Sequence, residues 1–305
     1  MPAAQPAGDS LAGRVVGTRV FGFSQGERAG RRDDFVRAVL RGALEAQYRS
    51  GMGRADYVDL LAAGSMPEAC RLPQRYRADW LESYVSRLLG RDLREFSRLS
   101  DPRRLRSLLA GLAAAQGSET VVARLGGAVN LSASTTTSYM ELLRALHLVE
   151  RLPPWTPNLL KREVGRSKYL LTDSALAMRL TRTSPDTLKD LVRGGALGGL
   201  LEAFVAAELM RQSTWCEERF TISHYRSPDG REIDLILELD DGRVIAVEVK
   251  AASSASAADA RHLRWLEERI GDRLVAGVVL TTDDRSRHLG GRLWAVPVAA
   301  LWELG

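Results

Sequence analysis

The sequence predicts an α+β or α/β multidomain chain in which helical parts precede an α/β unit with a mixed central sheet. Three observations support this prediction. Apolar residues recur at helical spacing through residues 31–62 and 67–96, a helix, helix, helix, strand order follows at about 103–155, and helices alternate with strands through residues 191–305. Alternation of this kind is typical of a sheet whose two faces are covered by helices.

The bulk composition narrows the class of protein. The chain has 305 residues, 45% of them hydrophobic, which is enough for two domains that each bury a core. There is no run of about eighteen uncharged apolar residues, and the opening MPAAQPAGDS lacks the basic and apolar parts of a signal peptide. We therefore expect a cytoplasmic protein without a membrane segment. Cys70 and Cys216 lack the spacing of a disulfide framework or of a zinc site.

The net charge of +5 is distributed unevenly along the chain. Residues 1–110 carry 19 basic and 13 acidic side chains, whereas residues 191–305 carry 14 basic and 18 acidic ones. Any attraction to the phosphates of nucleic acid is therefore expected in the first two thirds of the chain, because the last third is net acidic.

The middle of the chain has the order of a winged helix-turn-helix. RLRSLLAGLAAAQG, ETVVARLGG and NLSASTTTSYMELLRALHLVERLPPW predict a helix, a short helix, a turn, a longer helix and then an extended LVERL segment. The third helix is expected to expose its hydroxyl-rich start. The residues expected to contact nucleic acid are Arg124, Ser134, Thr135, Thr136, Lys161 and Arg162, and the neighbouring basic residues that could also meet phosphates are Arg166 and Lys168.

This module has an alternative role. The first turn of the third helix lacks the Arg, Asn or Gln that reads base edges in the major groove, so sequence-specific recognition of DNA is not indicated. Folds of this kind also serve as packing units between domains. Both roles remain open at the level of the sequence.

The stretch REIDLILELDDGRVIAVEVKA at residues 231–251 predicts a β-hairpin with charges in its middle. A three-residue loop, residues 240–242, with Gly242 in the left-handed conformation would place Asp234 opposite Glu248. A two-residue loop would instead place Asp234 opposite Val249 and send the two acids to opposite faces. The prediction of a site therefore depends on this register.

Two explanations compete for the charges on the hairpin. Charged strand residues usually mark a face exposed to solvent, but Ile236, Val244 and Ala246 lie among them, and the other face is wholly apolar. Two carboxylates close together in a dry place repel each other unless a cation lies between them. We therefore favour a site for Mg²⁺, with Mn²⁺ as an alternative, next to Lys250, which is one of only 4 lysines among 43 basic residues.

Asp234 followed by Glu248-x-Lys250 on the next strand resembles the PD-(D/E)xK nuclease core. The segment GGLLEAFVAAEL adds Glu202 on a helix, where members of this superfamily carry a further acid. The resemblance implies a restriction-endonuclease-like α/β domain at residues 191–305. It also implies that Asp234 and Glu248 bind the metal, that Lys250 assists the attacking water, and that Glu202 contacts the metal or one of its ligands.

The order of motifs along the whole chain resembles the C-terminal two thirds of prokaryotic AAA+ ATPase-like proteins that end in a nuclease-like domain of unknown function. The segments that carry this likeness are LAGRV, FSQGER, GSMPEA, LVERLPPW, SKYLLTDSALAMRL, GGLLEAFV, REIDLIL and VEVK. The resemblance implies that residues 1–65 are a remnant of an AAA+ ATPase-like module, from the end of its core and its helical lid. Residues 66–190 would be a helical region that contains the winged helix.

The sequence departs from this family in one respect. It contains no GxxxxGK[ST] phosphate loop, so we expect no ATP site and no ATPase activity in this chain, and we interpret it as a remnant, a late start or half of a split gene. A separately encoded ATPase or a second copy of the chain is the expected protein partner, and DNA the expected substrate if the site is active.

Two functions remain as hypotheses. The first is a metal-dependent hydrolase of nucleic-acid phosphodiester bonds that uses Asp234, Glu248, Lys250 and Glu202. The second is a non-enzymatic scaffold that binds DNA or a protein partner and retains an inactive nuclease fold. Among the other candidates, His224 is expected to have a structural role and Asp173 to cap a helix.

Overall fold

A computed structural model describes residue 17 and residues 19–92, 101–156, 165–192 and 194–304. The N-terminal part contains short helices joined by irregular segments. The helices are α1 (Gln25–Arg28), α2 (Phe35–Leu40), α3 (Arg54–Ala63), α4 (Pro67–Cys70) and α5 (Gln74–Arg87), and α5 continues into a π-helical turn at Leu88–Asp92. The helical pattern of residues 31–62 predicts a break at SGMG, residues 50–53, and α3 begins directly after it. Before the break the predicted helix is too long, because α2 ends at Leu40 and Gly42 has a φ of 76°, which a continuing helix does not allow.

The middle part has the predicted order of three helices followed by a strand. The elements are α6 (Pro102–Ala114), α7 (Val122–Ala128), α8 (Ala133–Ala145), β1 (Val149–Leu152), β2 (Lys168–Leu171), α9 (Ser174–Thr181) and α10 (Pro185–Lys189). β1 and β2 pair antiparallel, with Val149 opposite Leu171 and Leu152 opposite Lys168. Asp173 caps α9 as expected, because its Oδ1 accepts the Leu176 N–H at 2.7 Å.

The C-terminal part is built on a six-stranded mixed sheet. Its elements are a 3-10 turn (Gly194–Ala196), α11 (Leu197–Gln212), β3 (Phe220–Arg226), β4 (Glu232–Leu239), β5 (Val244–Lys250), α12 (Arg261–Ile270), a 3-10 turn (Gly271–Arg273), β6 (Leu274–Thr281), β7 (Arg287–Gly290), β8 (Leu293–Pro297) and α13 (Ala300–Glu303). The spatial order is β3-β4-β5-β6-β8-β7. β3, β4 and β5 are antiparallel neighbours, and β6 lies parallel to both β5 and β8.

Both faces of this sheet are covered, as the sequence predicts. On one face Leu235 and Leu237 belong to the large core that includes α11, and on the other face Ile236 and Ala246 belong to a second core with Leu263 of α12. Four of these five side chains come from β4 and β5, and all five are fully buried. The hairpin residues therefore lie at the centre of the sheet, between two helical layers.

Helix α11 is buried around most of its circumference and contacts the N-terminal part of the chain. Its Glu208 accepts the Gln25 N–H at 2.9 Å, and its Gln212 accepts the Phe35 N–H at 2.8 Å and donates to the carbonyl of Leu301 at 2.8 Å. These bonds satisfy backbone groups of the N-terminal part and of α13 inside the protein. No helix in the described part of the chain is both long enough and apolar enough to span a bilayer.

We predict opposite effects for two neighbouring glycines of α7. A Cβ atom on Gly126 would lie 2.0 Å from Thr136 Oγ1, whereas a Cβ on Gly127 would have no atom within 4 Å. Gly126→Ala should therefore lower the free energy of unfolding by about 1–3 kcal/mol, as expected for overpacking. Gly127→Ala should raise it by about 0.5–1 kcal/mol, because alanine favours the helix.

Urea denaturation followed by circular dichroism measures both changes against the wild type. Equal effects of the two substitutions would contradict the close approach of α7 and α8.

Candidate functional site

The hairpin of β4 and β5 has the register on which the site depends. Leu235 lies opposite Val247, and the turn is closed by hydrogen bonds between Leu239 and Arg243 and from the Gly242 N–H to the Leu239 carbonyl, with Gly242 at a φ of 83°. This is the predicted three-residue loop, and the pairing ends one position before Asp234 on β4 and Glu248 on β5.

Asp234 and Glu248 lie where the regular pairing of β4 and β5 ends. The Val249 N–H donates to Asp234 Oδ2 at 2.8 Å, which anchors this carboxylate to the neighbouring strand. Lys250 Nζ lies 2.6 Å from Glu248 Oε1. The other oxygen of this carboxylate, Oε2, is buried and has no hydrogen-bond partner. A buried carboxylate oxygen without a donor is costly, so this atom marks a place for a cation or a donor from outside the chain.

A lysine from the middle part of the chain enters the same cluster. Lys168, the first residue of β2, is fully buried. Its Nζ lies 2.7 Å from Glu202 Oε1, 3.0 Å from Glu232 Oε1 and 3.8 Å from Asp234 Oδ1. The ammonium thus contacts acids of α11 and β4 at once. The predicted site residue Glu202 is therefore brought to the cluster, where its nearest cation is Lys168.

The cluster contains more acids than bases. The carboxyl groups are those of Glu202, Glu232, Asp234 and Glu248, and the ammonium groups are those of Lys168 and Lys250. Fully ionised, these side chains would carry an excess of two negative charges. At the edge of the cluster, the half-exposed Arg226 lies 3.4 Å from Glu232 Oε2. The surplus of acid is the charge that one divalent cation would neutralise.

The pKa values of the cluster follow from burial and this surplus. Burial, followed by the charge of Asp234, raises the pKa of Glu202 to about 8 and that of Glu248 to about 7. Burial also raises the pKa of Asp234, against the opposing charge of Lys168. Burial alone would lower the pKa of Lys168, but the surrounding carboxylates outweigh it and raise this pKa. The shifts favour the charged form of Lys168 and the protonated forms of the surplus acids.

The residues present fit one divalent cation at the hairpin. Asp234 and Glu248 offer oxygen ligands, and the buried Glu248 Oε2 has no hydrogen-bond partner. Mg²⁺ is commonly held by one or two carboxylates, with waters and phosphate oxygens completing its shell. Within the described ranges, no three Asp, Glu, His or Cys side chains come together in a way that could hold a metal ion. The hairpin therefore offers two carboxylates to such a cation, and Lys168 lies among the remaining acids.

His224 lies beside this cluster in a structural setting, as expected. It is fully buried where β3 shifts its register against β4, and its Nε2 donates to the carbonyl of Arg166 at 3.1 Å. Its main-chain N–H donates to the carbonyl of Pro153 at 3.0 Å, next to a parallel bridge between Pro154 and His224. The segment after β1 is thereby attached to the edge of the large sheet.

The residues expected to contact nucleic acid have different environments. Arg124 and Ser134 are exposed and Thr135 is half-buried, but Thr136 is fully buried and its Oγ1 donates to the carbonyl of Ser132 at 2.8 Å. The prediction of an exposed Thr136 is wrong, because the turn of α8 points this side chain toward Gly126 of α7.

Two further outcomes concern the basic residues. The prediction that Lys168 could meet phosphates is wrong, since its ammonium is enclosed by carboxylates. Lys161 and Arg162 lie outside the described residues.

Sequence reasoning missed two members of the cluster, Lys168 and Glu232. Glu232 could have been found, because strand alternation places it on the same side of β4 as Asp234. The one feature of the sequence that could have pointed to Lys168 is the rarity of lysine, since the chain has only 4. No spacing rule connects it with the hairpin.

Comparisons with known proteins give a coarse classification. Residues 54–187 match a family model described as Domain of unknown function (DUF8612), and residues 197–301 match one described as Domain of unknown function (DUF4143). The uncharacterized protein Rv2008c of Mycobacterium tuberculosis (strain ATCC 25618 / H37Rv) and the uncharacterized protein Mb2031c of Mycobacterium bovis (strain ATCC BAA-935 / AF2122/97) are each 26% identical to this chain over 250 residues.

Those alignments cover 82% of this chain and 50% of each relative, so the chain spans about half the length of the curated relatives that it matches. No solved structure matches the chain. The matches support the coarser part of the resemblance, a C-terminal domain of unknown function preceded by a separate domain. Neither description names a winged helix, a nuclease, DNA or magnesium.

His224 should make the stability of the chain depend on pH. Burial first, and then the charge of Lys168, lowers the pKa of His224 to about 4 from an ordinary value of 6.5, with Glu232 acting in the opposite direction and Arg226 adding to the decrease. Because the unfolded chain binds a proton below pH 6.5 that the folded chain does not, stability falls as the pH decreases. Between pH 7 and pH 5 this contribution is roughly 2 kcal/mol.

Urea unfolding of wild type and His224→Phe at both pH values measures this effect. The variant should lose less stability on acidification than the wild type, whereas the same change at the exposed His288 should leave the wild-type loss unaltered. An identical loss in wild type and His224→Phe would contradict the prediction.

Proposed function

We propose that the C-terminal part of this chain is a metal-dependent hydrolase of nucleic-acid phosphodiester bonds. The observation that carries the proposal is the position of Asp234 and Glu248 on adjacent strands, with the buried Glu248 Oε2 unfilled and Lys250 next to it. A pair of buried carboxylates beside a lysine is an arrangement that suits a divalent cation and a phosphate.

The arrangement of the sheet supports the finer assignment of the fold. A helix, three antiparallel strands, a second helix and a parallel strand follow one another from α11 to β6. The resemblance to PD-(D/E)xK nucleases implies this order, so we propose a restriction-endonuclease-like domain. In the same way, the three helices and the β1–β2 hairpin of the middle part support the proposal of a winged helix that holds the nucleic acid.

Each side chain has a distinct role in this proposal. Asp234 and Glu248 would hold Mg²⁺, which supplies positive charge that offsets the charge developing on phosphate. The Val249 N–H fixes the direction of the Asp234 carboxylate. Lys250, whose side chain is about one third exposed, can donate a hydrogen bond to the attacking water or to a phosphate oxygen. Glu202 would act indirectly, through its ion pair with Lys168.

A second candidate function rests on Lys168. Its ammonium already contacts three of the four acids in the cluster, which is the arrangement expected of a folded core whose charges are internally paired. The alternative is therefore a non-enzymatic scaffold that binds DNA or a protein partner through other surfaces. A hydrolase that a separately encoded ATPase must activate would still be a hydrolase, so that case is part of the first proposal and not of the scaffold alternative.

Cleavage of single-stranded, duplex and branched DNA and RNA in Mg²⁺ or Mn²⁺ tests the two functions. Asp234→Asn and Lys250→Ala should each reduce the cleavage rate on the order of 100-fold or more, because the first removes a ligand of the metal ion and the second removes a donor to the attacking water or the phosphate. Asp241→Asn, in the exposed turn of the same hairpin, and Lys189→Ala, in a surface ion pair, are the matched controls and should cleave like the wild type.

The scaffold makes the opposite prediction. In that case no substrate is cleaved, and any binding of DNA needs no metal ion and is unchanged by Asp234→Asn. Cleavage that survives both Asp234→Asn and Lys250→Ala would contradict the assignment of the site.

A further inference from the structure

The environment of Lys168 is that of a cation-binding position. Its ammonium is fully buried and lies within 3.0 Å of oxygens from Glu202 and Glu232, with an Asp234 oxygen at 3.8 Å. These acids come from α11 and β4, whereas the lysine comes from β2. An unpaired ammonium in such a place would be strongly unfavourable, so the acids and the lysine depend on each other.

The same carboxylates have the chemistry of a divalent-cation site. Carboxylate oxygens from two elements that surround one positive centre are typical ligands of Mg²⁺ and Mn²⁺. Here the positive centre is an ammonium, which carries one charge and donates hydrogen bonds to the carboxylates. A metal ion would instead accept electron pairs from their oxygens. As they are placed around the ammonium, the acids that Lys168 contacts do not form a three-ligand metal site in the described part of the chain.

The charges leave room for one divalent ion. With Lys168 and Lys250 protonated, the four carboxylates retain an excess of two negative charges, and the unfilled oxygen belongs to Glu248, on the hairpin side of the cluster. The arrangement thus suits one metal ion beside one internal ammonium.

We propose that the Lys168 ammonium occupies a second cation position, formed by Glu202, Glu232 and Asp234, so that the chain binds a single divalent ion at Asp234 and Glu248. This inference rests on the proposed function, and it specifies the metal stoichiometry of that site. It makes Lys168 a positioning residue, which orders Glu202 and Asp234 around the metal from a different part of the chain. The site is then incomplete without the β1–β2 hairpin.

Binding of Mn²⁺ to the full chain tests this inference without an activity assay. Isothermal titration calorimetry and native mass spectrometry give the number of ions for wild type, Lys168→Gln, Lys189→Gln and Asp234→Asn. The wild type should bind one Mn²⁺ per chain, and Asp234→Asn none. Lys168→Gln should bind two, since removal of the ammonium frees its carboxylates to close around a second ion, whereas Lys189→Gln, in a surface pair with Asp59, should bind one.

Thermal unfolding provides a second measurement. Lys168→Gln removes the positive charge that the carboxylates surround, so this variant should unfold at a lower temperature than the wild type. Mn²⁺ should raise its Tm by more than it raises that of the wild type or of Lys189→Gln. If Lys168→Gln does not fold even in Mn²⁺, the number of Mn²⁺ ions bound per wild-type chain tests the inference. One ion would support it, and two ions would overturn it.

The other outcomes separate the two proposals. One ion in the wild type and one of unchanged affinity in Lys168→Gln would overturn the inference and leave the metal site intact. No ion in the wild type and one in Lys168→Gln would also overturn it, because the ammonium would then exclude the metal. No ion in any folded variant would remove the basis of the proposed hydrolase itself.

Discussion

The buried ion cluster around Lys168 is the constraint on which the rest of the structure depends. A fully buried ammonium is tolerated only where carboxylates surround it, and the carboxylates of Glu202 and Glu232 meet it within 3.0 Å. Because these three residues come from β2, α11 and β4, their contacts fix the position of the middle part of the chain against the C-terminal sheet. Loss of any one partner would leave a buried charge uncompensated.

The surrounding structure supports this cluster from several sides. The hairpin of β1 and β2 is attached to the edge strand β3 through the bridge between Pro154 and His224. Helix α11 carries Glu202 toward Lys168 and, further along, uses Glu208 and Gln212 to bind backbone groups of the N-terminal part. One central helix therefore connects all three parts of the chain.

The two candidate functions are different uses of the same surplus of acid. In a hydrolase, one divalent ion at the hairpin would neutralise the two excess negative charges of the cluster. As a scaffold, it would retain protons on its carboxyl groups and serve only to hold the parts together. The matches to domains of unknown function, and to relatives twice as long as the aligned region, are compatible with both uses.

The sequence by itself determined the features that depend on local pattern. Alternation along β4 and β5 and the turn at Gly242 were enough to predict the register that pairs Leu235 with Val247, next to Asp234 and Glu248, because a strand has a period of two and the loop sets the register. Only the tertiary structure decided that Lys168 joins these acids and that Thr136 is buried. Both depend on how separate elements pack. The buried charge of Lys168 is stabilised by acids on other elements, and Thr136 is buried because α8 packs closely against α7, and neither contact follows from the local pattern.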